Sequence, residues 1–242
     1  MTKEQLESPS IERGALLQTP EGRFVLYLSY VDPVDSRWRI DRLEADDPAH
    51  FDVATRQEVV TATSLGVEGV KDPVIFAVGT GYYMYVSYAP KATGEISQSD
   101  MHGTDDVFNT GLLKSHTGLL TSVDGRVFQW ARDVMTPSES GWDSYATRIV
   151  GLLPYQGATV VFYDGSSSVA QNYEERTGVA VTFDYEEMRK LSHAGPVLAS
   201  PYATGTLRYI APVVHDQEIW YYYEMARPDG AHNLYVNRVM QK

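Results

Sequence analysis

Carboxylates and arginines recur at matching places along this chain, and their types suggest two kinds of chemistry. Asp72, Glu224, Asp164 and Glu12, with Asp32, are acids that fall near the ends of apolar strand-like runs. Two such acids in unlike surroundings can divide the work of a general acid and a general base. Arg13, Arg148 and Arg208 fall at the starts of similar runs. Three converging guanidiniums make a fork for a carboxylate or phosphate, or else pair with the neighbouring acids. Beside Arg148 or Arg208, Asp72 is expected to be held ionised, as a base or stabiliser requires. Glu224 follows Trp220-Tyr-Tyr-Tyr223, and an apolar aromatic surround is expected to raise its pKa.

What must position these residues is a repeat of about 60 residues. In each copy an apolar strand leads through a turn to a second, usually Tyr-rich strand, then a third and often a short fourth. The copies begin at 11–17, 71–78, 147–153 and 207–214. Their second strands are 23–30, 82–88, 159–165 and 218–224. Their third strands are 38–45, the region near 118–122, 178–183 and 233–239. Short alternating strands between turn residues mean an all-β protein. Self-similar units of four strands mean a β-propeller. Four blades are legible, a five-bladed type is expected, and 1–242 reads as a single propeller domain. Only 184–190 and 189–192 hint at helix. The stretch from Ala89 to Gly118 is longer than a turn requires and reads as a lid or a surface elaboration.

In a propeller the first strand of each blade lines the central channel. Its start lies on the same face as the end of the second strand. The copies align Arg13 (with Glu12 beside it), Asp72, Arg148 and Arg208 at the first position. Asp32, the region of Tyr88, Asp164 and Glu224 fall at the second. Trp142 and Asp143 precede a blade entrance and are expected at the funnel rim, although Asp143 also suits a turn. Asn172–Gly178 reads as a solvated loop and His232 as a solvated turn residue. His102, His116, His193, His215 and His232 show no metal-ligand spacing, so neither a metal nor a cofactor is expected.

Composition narrows the partners. The 242 residues are 43% hydrophobic and 21% charged, enough for a core and too few charges for disorder. A net charge of −12 disfavours phosphate backbones, so neither nucleic acid nor an anionic membrane is an expected partner. With no cysteine there is no disulfide framework. The first ten residues lack the apolar core of a signal peptide, so a cytoplasmic protein is expected. The 17 Tyr and 4 Trp suit strand packing and also sugar faces. The oligomeric state is left open.

Several phrases carry a family resemblance. Lys71-Asp-Pro-Val-Ile-Phe76 followed by Tyr82-Tyr-Met-Tyr-Val-Ser87 resembles the Asp-Pro blade entrance of five-bladed propeller glycoside hydrolases. These comprise families 43 and 32 and the mannoside phosphorylases. Ser122-Val-Asp-Gly125, continuing to Trp130, resembles a structural turn of those propellers and of sialidases. Trp142-Asp143 through Arg148 and Phe162-Tyr-Asp-Gly165 are similar to the same group. The resemblance implies that Asp72 tunes the acid's pKa or stabilises the transition state, and that Glu12 is a weak match to the acid. No first-blade Asp matches the base or nucleophile, and Arg stands at entrances where a carboxylate could be. The expected function is that of a carbohydrate-active enzyme acting on a sugar in the funnel, with acidic sugars among the candidates. The competing readings are a propeller that binds a sugar or acidic metabolite without catalysis, one redirected to another reaction, and a protein-interaction propeller.

Overall fold

The computed structural model describes residues 1–241. They form two compact units, Met1–Asp133 and a second that begins at Val134.

The N-terminal unit opens with a one-turn helix, α1 (Lys3–Leu6), whose Thr2 and Gln5 form a reciprocal capping box. The first sheet is β1 (Ile11–Gln18), β2 (Phe24–Val31), β3 (Trp38–Ala45) and β4 (Gln57–Val60), in that order. The second is β5 (Gly69–Val78), β6 (Gly81–Ala89), β7 (His116–Ser122) and β8 (Gln129–Met135), the last crossing the unit boundary. A short helix, α2 (Ala62–Leu65), joins the two sheets. Val25, Tyr27 and Ile40 of the first sheet bury against Val70, Met84, Val86 and Leu120 of the second. Alternation along each strand therefore supplies one blade-to-blade core.

The C-terminal unit repeats the plan. Its third sheet is β9 (Ala146–Tyr155), β10 (Ala158–Ser166), β11 (Arg176–Thr182) and the two-residue β12 (Arg189–Lys190). The fourth is β13 (Leu207–His215), β14 (Glu218–Ala226) and β15 (His232–Met240). A single parallel pair, Arg176 with Leu207, links them. Val150, Leu153 and Phe162 pack on Leu207, Ile210 and Ile219.

All four legible copies are thus sheets, and the expected strands lie within a few residues of the observed ones. The helix hints at 184–190 and 189–192 are corrected. Asp184 accepts the amides of Glu186 and Glu187, and Thr182 accepts that of Tyr185, which closes a turn. Arg189 and Lys190 then pair with β11 as a strand. Ser122-Val-Asp124-Gly125 closes the same way, with Asp124 accepting the amides of Arg126 and Val127. Gly125 (φ +68°) and Tyr185 (φ +65°) share the left-handed conformation. The two turns are one repeated device, and only the first carries the Gly that makes it visible in sequence.

The long segment after β6 is a packed elaboration. A third helix, α3 (Gln98–His102), and a 3₁₀ turn at Val107–Asn109 bury Met101, Val107 and Phe108 against Val31, Trp38 and Ala89.

Candidate functional site

Strand pairing sets the level of each candidate residue. Lys71 lies opposite Ser87, Arg148 opposite Asp164, and Arg208 opposite Glu224. Each first strand then carries a bulge. The residues following these three are Asp72, Ile149 and Tyr209. In β1, Ile11 opposite Tyr30 corresponds to Val70 opposite Tyr88, which puts Glu12 level with Lys71 and Arg13 level with Asp72. The alignment by charge is therefore corrected by one residue in two blades: Arg148 and Arg208 match Lys71. A one-residue shift turns a side chain to the other side of its strand, and the pairing with the second strand decides it.

Asp72 occupies its bulge with φ +55°, and Tyr209 occupies the matching bulge with φ +60°. Non-glycine residues there are uncommon and are held by their surroundings. In both cases the preceding blade supplies the hold. The Asp72 amide donates to Ser29 Oγ at 2.9 Å, and the Tyr209 amide donates to the Asp164 carboxylate at 3.0 and 3.2 Å. Asp164, wholly buried, thus braces the neighbouring strand.

The Asp72 side chain differs from every other candidate acid. It is 1% exposed, and neither carboxylate oxygen has a hydrogen-bond partner among the described residues. Next to it in sequence is Lys71, fully buried, with Nζ 2.7 Å from Glu12 and 3.8 Å from Asp106. The ammonium also sits over the Trp38 ring at 4.5 Å and the Phe108 ring at 4.8 Å. Trp38 Nε1 donates to Asp106 at 3.2 Å, so the packed segment after β6 forms a wall of this cage. Burial raises the Glu12 pKa above the usual carboxylate value. Lys71 opposes that shift, and the charges of Asp72 and Asp106 add to it.

The other N-terminal candidates are engaged locally. Asp32 accepts a hydrogen bond from Arg39 at 2.6 Å at the turn between β2 and β3. The Tyr88 hydroxyl donates to Asp133 at 2.6 Å, and its ring meets Trp130 edge-on. Arg13 lies half-buried on β1.

In the C-terminal unit the charges are bound to one another. Glu175, fully buried, accepts Arg148 at 2.9 Å through one oxygen and Arg208 at 2.9 Å through the other. Arg148 also donates to Asn172 at 2.6 Å. Arg208 reaches Glu224 at 3.0 Å, and His232 Nδ1 lies 2.7 Å from the same Glu224 oxygen. His232 Nε2 faces Glu174, which the Thr204 and Thr206 hydroxyls also contact. Both guanidiniums are therefore paired with acids, the second of the two arrangements the sequence allowed. The apolar surround expected for Glu224 is replaced by an arginine and a histidine. The loop reading of Asn172–Gly178 and the solvated reading of His232 are corrected: Asn172 and Glu175 are buried, and His232 begins β15 as a bridge between two acids.

Trp142 and Asp143 sit in a packing knot. Trp142 Nε1 donates to the Ser192 carbonyl at 2.7 Å, and its ring lies 5.5 Å from that of Tyr163. Asp143 is buried against Lys190 at 2.8 Å and the Tyr163 hydroxyl at 3.2 Å. A Cβ on Gly178 would stand 2.4 Å from Tyr163 and 2.8 Å from Trp142.

Sequence reasoning missed Lys71, Asp106 and Glu175. Lys71 was within reach as the neighbour of Asp72. Nothing local distinguishes buried Glu175 from its partly exposed neighbour Glu174. Among the described residues no group of three His, Cys, Asp or Glu side chains is placed to hold a metal ion.

No family model matches the sequence, and no curated protein matches it significantly. Solved structures do match. A thermostable family-43 glycoside hydrolase aligns over 96% of this chain and 72% of its own, with TM-score 0.69 and 14% identity. An α-L-arabinofuranosidase from Lactobacillus brevis gives TM-score 0.64 and 14% identity over 94% of this chain and 72% of its own. A β-1,2-mannobiose phosphorylase from Listeria innocua, in complex with β-1,2-mannobiose, gives TM-score 0.62 and 15% identity over 95% of this chain. The chain spans 58% of that phosphorylase's length. At these identities the likeness concerns the fold: the chain has the β-propeller fold of this group of glycoside hydrolases and phosphorylases.

Proposed function

We propose that this chain is a carbohydrate-active enzyme of glycoside hydrolase or phosphorylase type, with Asp72 as its working carboxylate and Glu12 as the proton donor beside it. The observation that carries the reading is the buried Asp72 carboxylate with no hydrogen-bond partner among the described residues. An ionised carboxylate out of water costs several kcal/mol unless something donates to it. Sugar hydroxyls are donors of the right kind.

Glycosidic bond cleavage uses two carboxyl groups, one protonated and one ionised. The raised pKa of Glu12 favours its protonated form, which suits an acid. Arg148 and Arg208 are already paired with Glu175, which favours a neutral sugar over an acidic one. The solved glycosidases and phosphorylases that share the fold support the same class.

A second reading, a propeller that binds sugar without turning it over, is favoured by the register. The positions level with Asp72 in the other blades hold Arg13, Ile149 and Tyr209, and none of these is a carboxylate.

The test is turnover of a panel of aryl glycosides, with and without inorganic phosphate, by wild type, Asp72→Asn and Glu12→Gln, alongside sugar-induced thermal shifts. Turnover lost in Asp72→Asn with folding intact supports the enzyme. No turnover, but a sugar-induced shift that Asp72→Asn abolishes, supports the binding module. Unchanged turnover in Asp72→Asn sinks the assignment.

A further inference from the structure

The fourth sheet differs from the other three in its outer strand. The first three sheets end in β4, β8 and β12, of 4, 7 and 2 residues. The fourth has three strands and ends in β15, which runs nine residues. Among the described residues no strand pairs with its outer edge. Its apolar side chains are open: Leu234 is 76% exposed, Val236 48%, Val239 51% and Met240 57%. A long apolar edge with free backbone donors and acceptors is a template for another strand.

The geometry points to β15 of a second copy of this chain as that strand, paired antiparallel across a two-fold axis to join two fourth sheets. Charge argues for this occupant. The chain carries 32 Asp and Glu residues and a net charge of −12, so most of its surface repels a second copy. The β15 sequence His-Asn-Leu-Tyr-Val-Asn-Arg-Val-Met contains no acid. Length and register also fit. Pairing centred on Val236 matches all nine residues and sets Leu234 against Arg238, Tyr235 against Asn237, and Asn233 against Val239. No arginine then faces its own copy, and like charges opposite one another are what destabilise cross-strand pairs. Within each copy Arg238 already lies over the Trp220 ring at 5.2 Å, which holds it along the strand. Such a contact is isologous and closes at two copies.

Sedimentation equilibrium of the full chain over a wide concentration range tests this. Wild type is expected to be a monomer–dimer system. Val236→Lys, which sets two lysines face to face, is expected to weaken the dimer by at least about tenfold, while Val236→Thr keeps it. Circular dichroism checks folding, and Leu234→Lys serves as the second variant if Val236→Lys unfolds. A wild type that stays monomeric throughout, or a dimer that folded Val236→Lys or Leu234→Lys leaves unchanged, overturns the inference.

Discussion

Asp72 in the N-terminal unit and Glu175 in the C-terminal unit are both acids with almost no exposure, yet their surroundings are opposite. Glu175 is clasped by two guanidiniums, one at each oxygen. Asp72 receives no donor from the described residues, although its own amide is held by Ser29. One acid ties the third sheet to the fourth. The other is fixed through its backbone amide while its carboxylate meets no donor among the described residues. Burial alone therefore does not tell how an acid is satisfied; the donors around it do.

The contrast breaks first at Asp72. Asp72→Asn should lower kcat/KM by about 10²–10⁴-fold, the usual scale for a positioned acid or base, with little change in melting temperature. Steady-state kinetics beside a thermal melt measures both. The converse variant, Glu175→Ala, strands Arg148 and Arg208 in a buried site. It should destabilise the protein by about 3–5 kcal/mol, read by urea denaturation. If Glu175→Ala left stability intact and Asp72→Asn unfolded the chain, the two roles would be exchanged.

Ser29→Ala removes the hydroxyl that receives the Asp72 amide and should cost about 1–3 kcal/mol. It should also weaken sugar binding, because the bulge would no longer hold Asp72 in place. Calorimetric unfolding and a sugar titration would show the pair of effects.

The smallest effect concerns Glu12. Its folded pKa lies above the unfolded value, so the folded state binds its proton more tightly. Stability from this group is present below the ordinary carboxylate range and is lost as pH rises through the raised pKa. Glu12→Gln should therefore flatten the fall in melting temperature over that window. An identical pH profile in wild type and variant would remove Glu12 as a group with a raised pKa.

Much of this is legible in the sequence. The strands of all four sheets follow from alternation and from turns such as Gly79-Thr-Gly81 and Gln156-Gly157, which act within a few residues. The Asp-Pro phrase marks Asp72. Lys71 beside it goes unmarked, because a lysine at a strand start looks solvated until Glu12, Asp106, Trp38 and Phe108 are seen around it. Arg148 and Arg208 are visible as charges but align one residue off, because matching by charge leaves out the pairing with the second strand that sets each residue's level. The segment at Asp184 suggests a helix because its turn lacks the glycine that marks the turn at Asp124.

By itself the sequence determined the all-β class, the four repeats and the chemistry available at their strand starts. Those properties depend on side-chain periodicity and turn preference, which are local. Only the tertiary structure decided which charges neutralise one another. Glu175 meets Arg208 from 33 residues away, and Lys71 meets Glu12 from 59. Such pairings depend on strand register and on sheets packing together, which set whether a buried acid is satisfied by the protein or left for a ligand.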